Sequence, residues 1–112
     1  MFGGLLMSDI TLKGVVYHVQ YRSSKDRIHS RVFIDEKDHE KLNAWWRENH
    51  IDTKLEELPH PISHKPCPQI QAKSTAENIN NGTQVTITID VVTRMKSGKS
   101  HIGLKTLSIK SR

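Results

Sequence analysis

Hydrophobic residues along this chain alternate with polar ones over several stretches, the signature of half-buried strands. Ile10 and Leu12 share one parity and Val15, Tyr17, Val19 and Tyr21 the other, with Gly14 at the changeover. A long strand over 9–21 is therefore predicted, with a bulge or sharp coil at Gly14. Ser23-Ser24-Lys25-Asp26 is a polar turn. Ile28, Ser30, Val32 and Ile34 then define a second strand, with His29, Arg31 and Phe33 on its other face.

The period then changes. Asp35 is placed to N-cap a helix through Asn49, with Glu36 and Asp38 in its positive first turn and Leu42, Trp45 and Trp46 as its apolar stripe. Thr53-x-x-Glu56 has the form of a capping box for a short second turn carrying Leu55 and Leu58. All four prolines fall within 59–68, which predicts an extended linker. Residues 69–73 form a short strand around Ile70. A second box, Ser74-x-x-Glu77, opens a short helix that ends at the turn signal Asn81-Gly82. Val85, Ile87, Ile89 and Val91 make a further strand, and 93–101 is a polar reversal with three fixed cations. Ile102, Leu104, Leu107 and Ile109 close the chain, with a parity change around Lys105 and Thr106.

Without the insert at 35–58, the element order is β-β-β-α-β-β. Two long strands that each swap faces belong in a small curved barrel and not in a flat sheet. The expected class is mainly β: an OB-fold, a five-stranded Greek-key barrel with an inserted helix between strands 2 and 3. It would occupy 9–112 as one domain, with 35–58 the helical insert, 59–68 the Pro-rich linker and 1–8 a flexible leader.

The 112 residues carry a formal charge of +5, unevenly distributed. Residues 35–57 hold eight acids and four bases, whereas from Val91 onward there are six Lys or Arg and no acid. An acidic insert between basic blocks favours a polyanionic partner over a merely solvated surface. The lone Cys67 forms no intrachain disulfide and suits a reducing, cytoplasmic setting. The apolar start, Met1 to Met7, is too short to cross a bilayer, so no membrane role is expected.

Residues as well as element order are familiar. Asp9-Ile10-Thr11-Leu12-Lys13-Gly14-Val15-Val16 resembles the opening strand of bacterial single-stranded DNA-binding proteins and of primosomal replication protein N. Ala72-Lys73-Ser74-Thr75-Ala76-Glu77, followed by Gly82-Thr83-Gln84-Val85-Thr86-Ile87, resembles that family's segment between strands three and four. Thr93-Arg94-Met95-Lys96 falls where its basic final hairpin begins. The resemblance implies an OB barrel that binds single-stranded DNA in replication, recombination or repair and pairs through its early strands as a homodimer. The surplus of apolar residues on both parities of the first strand, Val15, Val16, Tyr17 and Val19, points to the same dimer.

Binding single strands takes cations for phosphates and exposed rings for stacking. The candidate cations are Arg22, Lys25, Arg27 and Arg31 around the first hairpin and Arg94, Lys96 and Lys99 at the last; on a barrel these are expected to form one patch. Phe33 is the ring expected to be exposed. Tyr17 and Tyr21 are candidates for core, dimer contact or base platform. Trp45 and Trp46 diverge by about 100° around a helix, so one is core and the other is free to stack a base or meet a partner. His60, His64 and Cys67 have zinc-like spacing but no fourth ligand nearby, and no metal or cofactor is expected. Lys96-Ser97-Gly98-Lys99-Ser100 lacks the preceding glycine and following helix of a phosphate loop. No nucleophile motif or carboxylate pair suggests an enzyme. The rival function is an adaptor or inhibitor docking a protein through the acidic, Trp-containing helix.

Overall fold

The computed structural model describes residues 8–22, 27–74 and 79–112. Six strands form one antiparallel sheet: β1 (Ile10–Arg22), β2 (Arg27–Ile34), β3 (Glu57–Pro59), β4 (Pro66–Ser74), β5 (Gln84–Lys96) and β6 (Lys99–Ser111). Their order across the sheet is β3-β4-β2-β1-β5-β6. The sheet curls into a half-barrel around a core of inward residues such as Leu12, Val16, Val32, Ile70, Val85, Ile87 and Ile89. One helix among the described residues, α1 (His39–Glu48), packs Leu42 and Trp45 against this core.

The coil of β1 arises in two places. Gly14 does not mark the change of face, because Ile10, Leu12, Gly14 and Val16 are all buried on one parity. A Cβ at Gly14 would lie 2.6 Å from the Phe33 carbonyl oxygen, so the glycine is needed for the close approach of β1 to β2. The parity changes further on, between Tyr17 and Gln20, where the register with β2 slips. His18 sits there in the left-handed region (φ 57°), and Val19 rejoins the core side. In β6 the slip falls at Leu107, between the pairs Thr106↔Ile89 and Ser108↔Thr88, close to the predicted position.

The insert is shorter than its capping signals predict. Glu36–Asp38 is a 3-10 turn and Asp35 makes no side-chain cap. Instead the Asp38 carboxylate accepts the Lys13 N–H at 2.8 Å, tying the helix start to β1. A Schellman arrangement ends α1. His50 takes φ 51°, its N–H donates to the Arg47 carbonyl, and the Ile51 N–H donates to that of Trp46. Ile51 is then buried, so the chain leaves the helix into the core and Thr53-x-x-Glu56 opens no second turn.

Residues 59–68 are not a linker but most of a hairpin. Leu58 pairs with Cys67 and Pro59 with Pro66. On such a short edge strand the missing proline N–H groups cost little. The turn between them carries His60 onto the outer face of β1 and β2, where Tyr17, His18 and His60 rings all meet Phe33 edge-on at centroid distances of 5.7–6.2 Å for Phe33. This small outer cluster uses part of the apolar surplus that predicts a dimer. Ser8, expected in the leader, is anchored: its hydroxyl donates to Asp90 at 2.5 Å and its carbonyl accepts the Trp45 indole N–H. The short helix predicted after Ser74 lies outside the described residues.

Candidate nucleic-acid interface

β1 pairs with β5 only as far as Ile10↔Ile89, so beyond this point β5 continues with β6 alone. The two strands form a ribbon that reaches its tip at Lys96↔Lys99. Ser97 (φ 53°) and Gly98 (φ 78°) make the two-residue turn, both left-handed as a type I′ hairpin requires. The reversal expected over nine residues is therefore mostly strand. Every residue from Thr93 to His101 is exposed, on both faces of the ribbon. The arm carries Arg94, Lys96 and Lys99 and no carboxylate.

The curled sheet stays open on one side. β4 and β6 run parallel, approach within 8 Å between Cα atoms, and are not hydrogen-bonded to one another. Between them lies a groove of about 960 Å³ that begins at the base of the arm. Lys54, Lys73, Arg94, Lys105 and Lys110 line it, together with Trp46. Its acid, Glu56, accepts a hydrogen bond from Gln69, whose amide oxygen in turn accepts one from Arg31. Among the described residues the side chains of Lys54, Lys73, Lys96, Lys99 and Lys110 make no hydrogen bond or ion pair. Lys105 stands opposite Asp90 in the β5/β6 register. Asp90 is held below the usual carboxylate range by the Ser8 hydroxyl, then by the Val91 N–H, with Lys105 adding to both.

The predicted site residues separate. Lys96 and Lys99 project freely from the arm. Arg94 lies over Gly103 and donates to the Leu104 carbonyl at 2.9 Å, so its head is partly committed. Arg31 is half-buried on Gln69. Phe33 is 1% exposed within the outer aromatic cluster, which removes it as a stacking platform. Alternation puts its ring on the outer face, and a hairpin, where a linker is expected, covers that face. Tyr17 belongs to the same cluster. Trp45 is core, while Trp46 is half-buried at the groove with its indole N–H on the Thr53 carbonyl. Lys25 lies outside the described residues, as do the side chains of Tyr21, Arg22 and Arg27.

One patch joining both hairpin turns is not what the register gives. Arg22 pairs with Arg27 at the far end of β1, whereas the arm leaves the β1/β5 ladder at the opposite end. The groove lies in the interval: β6 runs from Lys99 at the arm tip to Lys110, opposite Thr86, and on the other wall β4 carries Lys73 opposite His29. Sequence reasoning left Lys73, Lys105 and Lys110 unassigned. Alternation held the signal for Lys73, because inward Ile70 and Ala72 put residues 71 and 73 outward.

The zinc-like spacing is not realised as a cluster. His60 Nδ1 accepts the Ile62 N–H, and the Cys67 thiol is buried against the Ile34 carbonyl, where burial pushes its pKa up. No three His, Cys, Asp or Glu side chains among the described residues are placed to hold a metal ion. No described helix is long and apolar enough to cross a membrane. Comparison with protein-family models, curated proteins and solved structures finds no match.

Proposed function

We propose that this chain binds single-stranded nucleic acid, in the first place DNA, without sequence readout, through phosphate contacts from the β5–β6 arm. The observation that carries this is the arm itself: a two-stranded ribbon exposed on both faces, cationic, free of acids and continuous with a cation-lined groove. Unpaired ammonium groups on a projecting hairpin have no structural task in the fold, and they suit a flexible polyanion. Leaving aside β3, the order β4-β2-β1-β5-β6, with parallel β4 and β6 at the seam, suits an OB barrel that is not fully closed. The resemblance of 9–16, 72–77 and 82–87 to single-stranded DNA-binding proteins favours the same function, in replication, recombination or repair. An adaptor docking through the tryptophans is less well supported, since Trp45 is core and both indole N–H groups are bonded within the chain.

The test is a titration of oligonucleotide binding against salt. With Lys96→Ala and Lys99→Ala together, affinity should fall similarly for every single-strand sequence. The slope of log K against log salt should become shallower by about 1.4, at roughly 0.7 per phosphate contact. A double variant that keeps both affinity and slope would remove the arm as the nucleic-acid grip.

A further inference from the structure

We infer that the bound single strand leaves the arm and runs along the β4/β6 groove, with one base stacked on Trp46 and phosphates held by Lys73, Lys105 and Lys110. This rests on the nucleic-acid function proposed above and assigns its path. The scarcity of exposed rings is the difficulty for any single-strand binder with this sequence: among the described rings Phe33 and Trp45 are buried, and half-buried Tyr17 packs edge-on against Phe33 on the outer face, away from the groove lining. Trp46 is the aromatic residue that both lines the groove and remains partly accessible. Its indole N–H is fixed on the Thr53 carbonyl at 2.8 Å, and its ring rests edge-on against Trp45. A ring already held in place loses little rotamer freedom when a base stacks on it.

The cations lie where a backbone following the groove would meet them. Lys105 and Lys110 stand on β6 and Lys73 on β4, all exposed and flanking the opening. The two strands run in the same direction; Lys110 stands level with Lys13 through Thr86, and Lys73 level with Gln20 through His29, so Lys73 is the cation on the Arg22 and Arg27 side. From Lys99 to Lys110 the path is about 35 Å, at roughly 3.3 Å per strand residue.

An open seam between two strands could instead accept an extended peptide by strand addition. The β6 edge is poorly suited to that. The Asp52 carboxylate takes the Ile102 N–H at 2.6 Å, the Asp52 N–H donates to the Ile102 carbonyl, and Arg94 covers the Leu104 carbonyl. These three ladder groups are not free for a peptide entering beside the arm, where ammonium groups and a ring line the groove.

The experiment uses the full chain and a fluorescein-labelled oligothymidylate of about 15 nucleotides, within the range of OB site sizes. Anisotropy reports binding, and tryptophan emission of the protein with unlabelled oligomer reports stacking. Expected are quenching on binding that is lost in Trp46→Phe, and an affinity loss of roughly 5- to 150-fold in Trp46→Leu, the range implied by one stacked base. The triple variant Lys73→Ala, Lys105→Ala, Lys110→Ala should make the salt slope shallower by about 2. Because these lysines are exposed, that arm does not depend on a core substitution folding. If the oligomer binds and the arm double variant weakens it, but emission and the triple variant's slope are unchanged, the groove path is overturned and the nucleic-acid function stands. If no single strand binds, both fall. If an oligo-glutamate peptide quenches Trp46 and oligothymidylate does not, the groove belongs to an acidic peptide and the path is likewise overturned.

Discussion

Gly14→Ala tests whether the closeness of β1 to β2 is what gives the sheet its curl. The added Cβ would lie 2.6 Å from the Phe33 carbonyl oxygen, 2.7 Å from Val32 Cγ1 and 3.2 Å from the Phe33 carbonyl carbon. Val32 could turn aside, but the Phe33 backbone is held in the ladder between β1 and β4. Ordinary contact begins near 3.4 Å, so β1 and β2 would have to part by about 0.8 Å at this point. Overpacking a well-filled site costs about 1–3 kcal/mol, and a rigid backbone neighbour puts Gly14 at the top of that range. Alanine recovers about 0.4–1 kcal/mol through the unfolded chain, which leaves a net loss of roughly 2–3 kcal/mol. At about 4–8 °C per kcal/mol for a domain near this size, Tm should fall by some 10–20 °C. Urea denaturation followed by circular dichroism measures the loss, and calorimetry gives the shift in Tm. Gly103→Ala is the internal control, because its Cβ would meet only the Arg94 side chain, at 3.5 Å, an ordinary contact; its change should stay within about 0.5 kcal/mol. A Gly14→Ala protein as stable as wild type would refute the tight-coil account of β1.

Two further outcomes follow from buried or bonded titratable groups. The Cys67 thiol, sealed against the Ile34 carbonyl with its pKa raised by burial, should react with a thiol-specific disulfide reagent only as the chain unfolds, and rapid stoichiometric labelling of native protein at pH 7–8 would contradict this. Asp90 is depressed in the folded state by the Ser8 hydroxyl and the Val91 N–H, so it contributes stability above its unfolded pKa of about 4 and loses it as pH falls through the lower folded value; Asp90→Asn should flatten acid denaturation below pH ~4, and an unchanged acid limb would show that the Ser8 anchor does not form in solution.

How far the fold could be read in advance depended on how local each signal was. Strand alternation in 28–34 and 85–91 names the inward residues correctly, because burial of one sheet face is enforced at every second residue. The turn at Ser97-Gly98 was foreseeable for the same local reason, although the strands carry pairing almost to it. Capping boxes did less well: Thr53-x-x-Glu56 was overridden by the Schellman exit that buries Ile51 and sends the chain into β3. The prolines of 59–68 misled because proline bars a central strand but not a short edge strand.

The β3–β4 hairpin decides the site. A linker over 59–68 would leave the outer face of β2 uncovered and Phe33 exposed. With β3 and the start of β4 paired, the turn between them brings His60 onto Phe33 and closes that face. The aromatic ring that lines the groove is then Trp46, half-buried, and the groove's cations are Lys54, Lys73 on β4, Arg94 on β5 and Lys105 and Lys110 on β6. The basic tail was plain in composition, but its division into an arm and a groove wall was not. That division depends on where β1 stops pairing with β5 and on β4 and β6 remaining unjoined, both long-range facts that no short window of residues contains. Charge in the sequence points to a polyanion, and on the reading proposed here strand pairing is what would turn that charge into a path with a ring beside it.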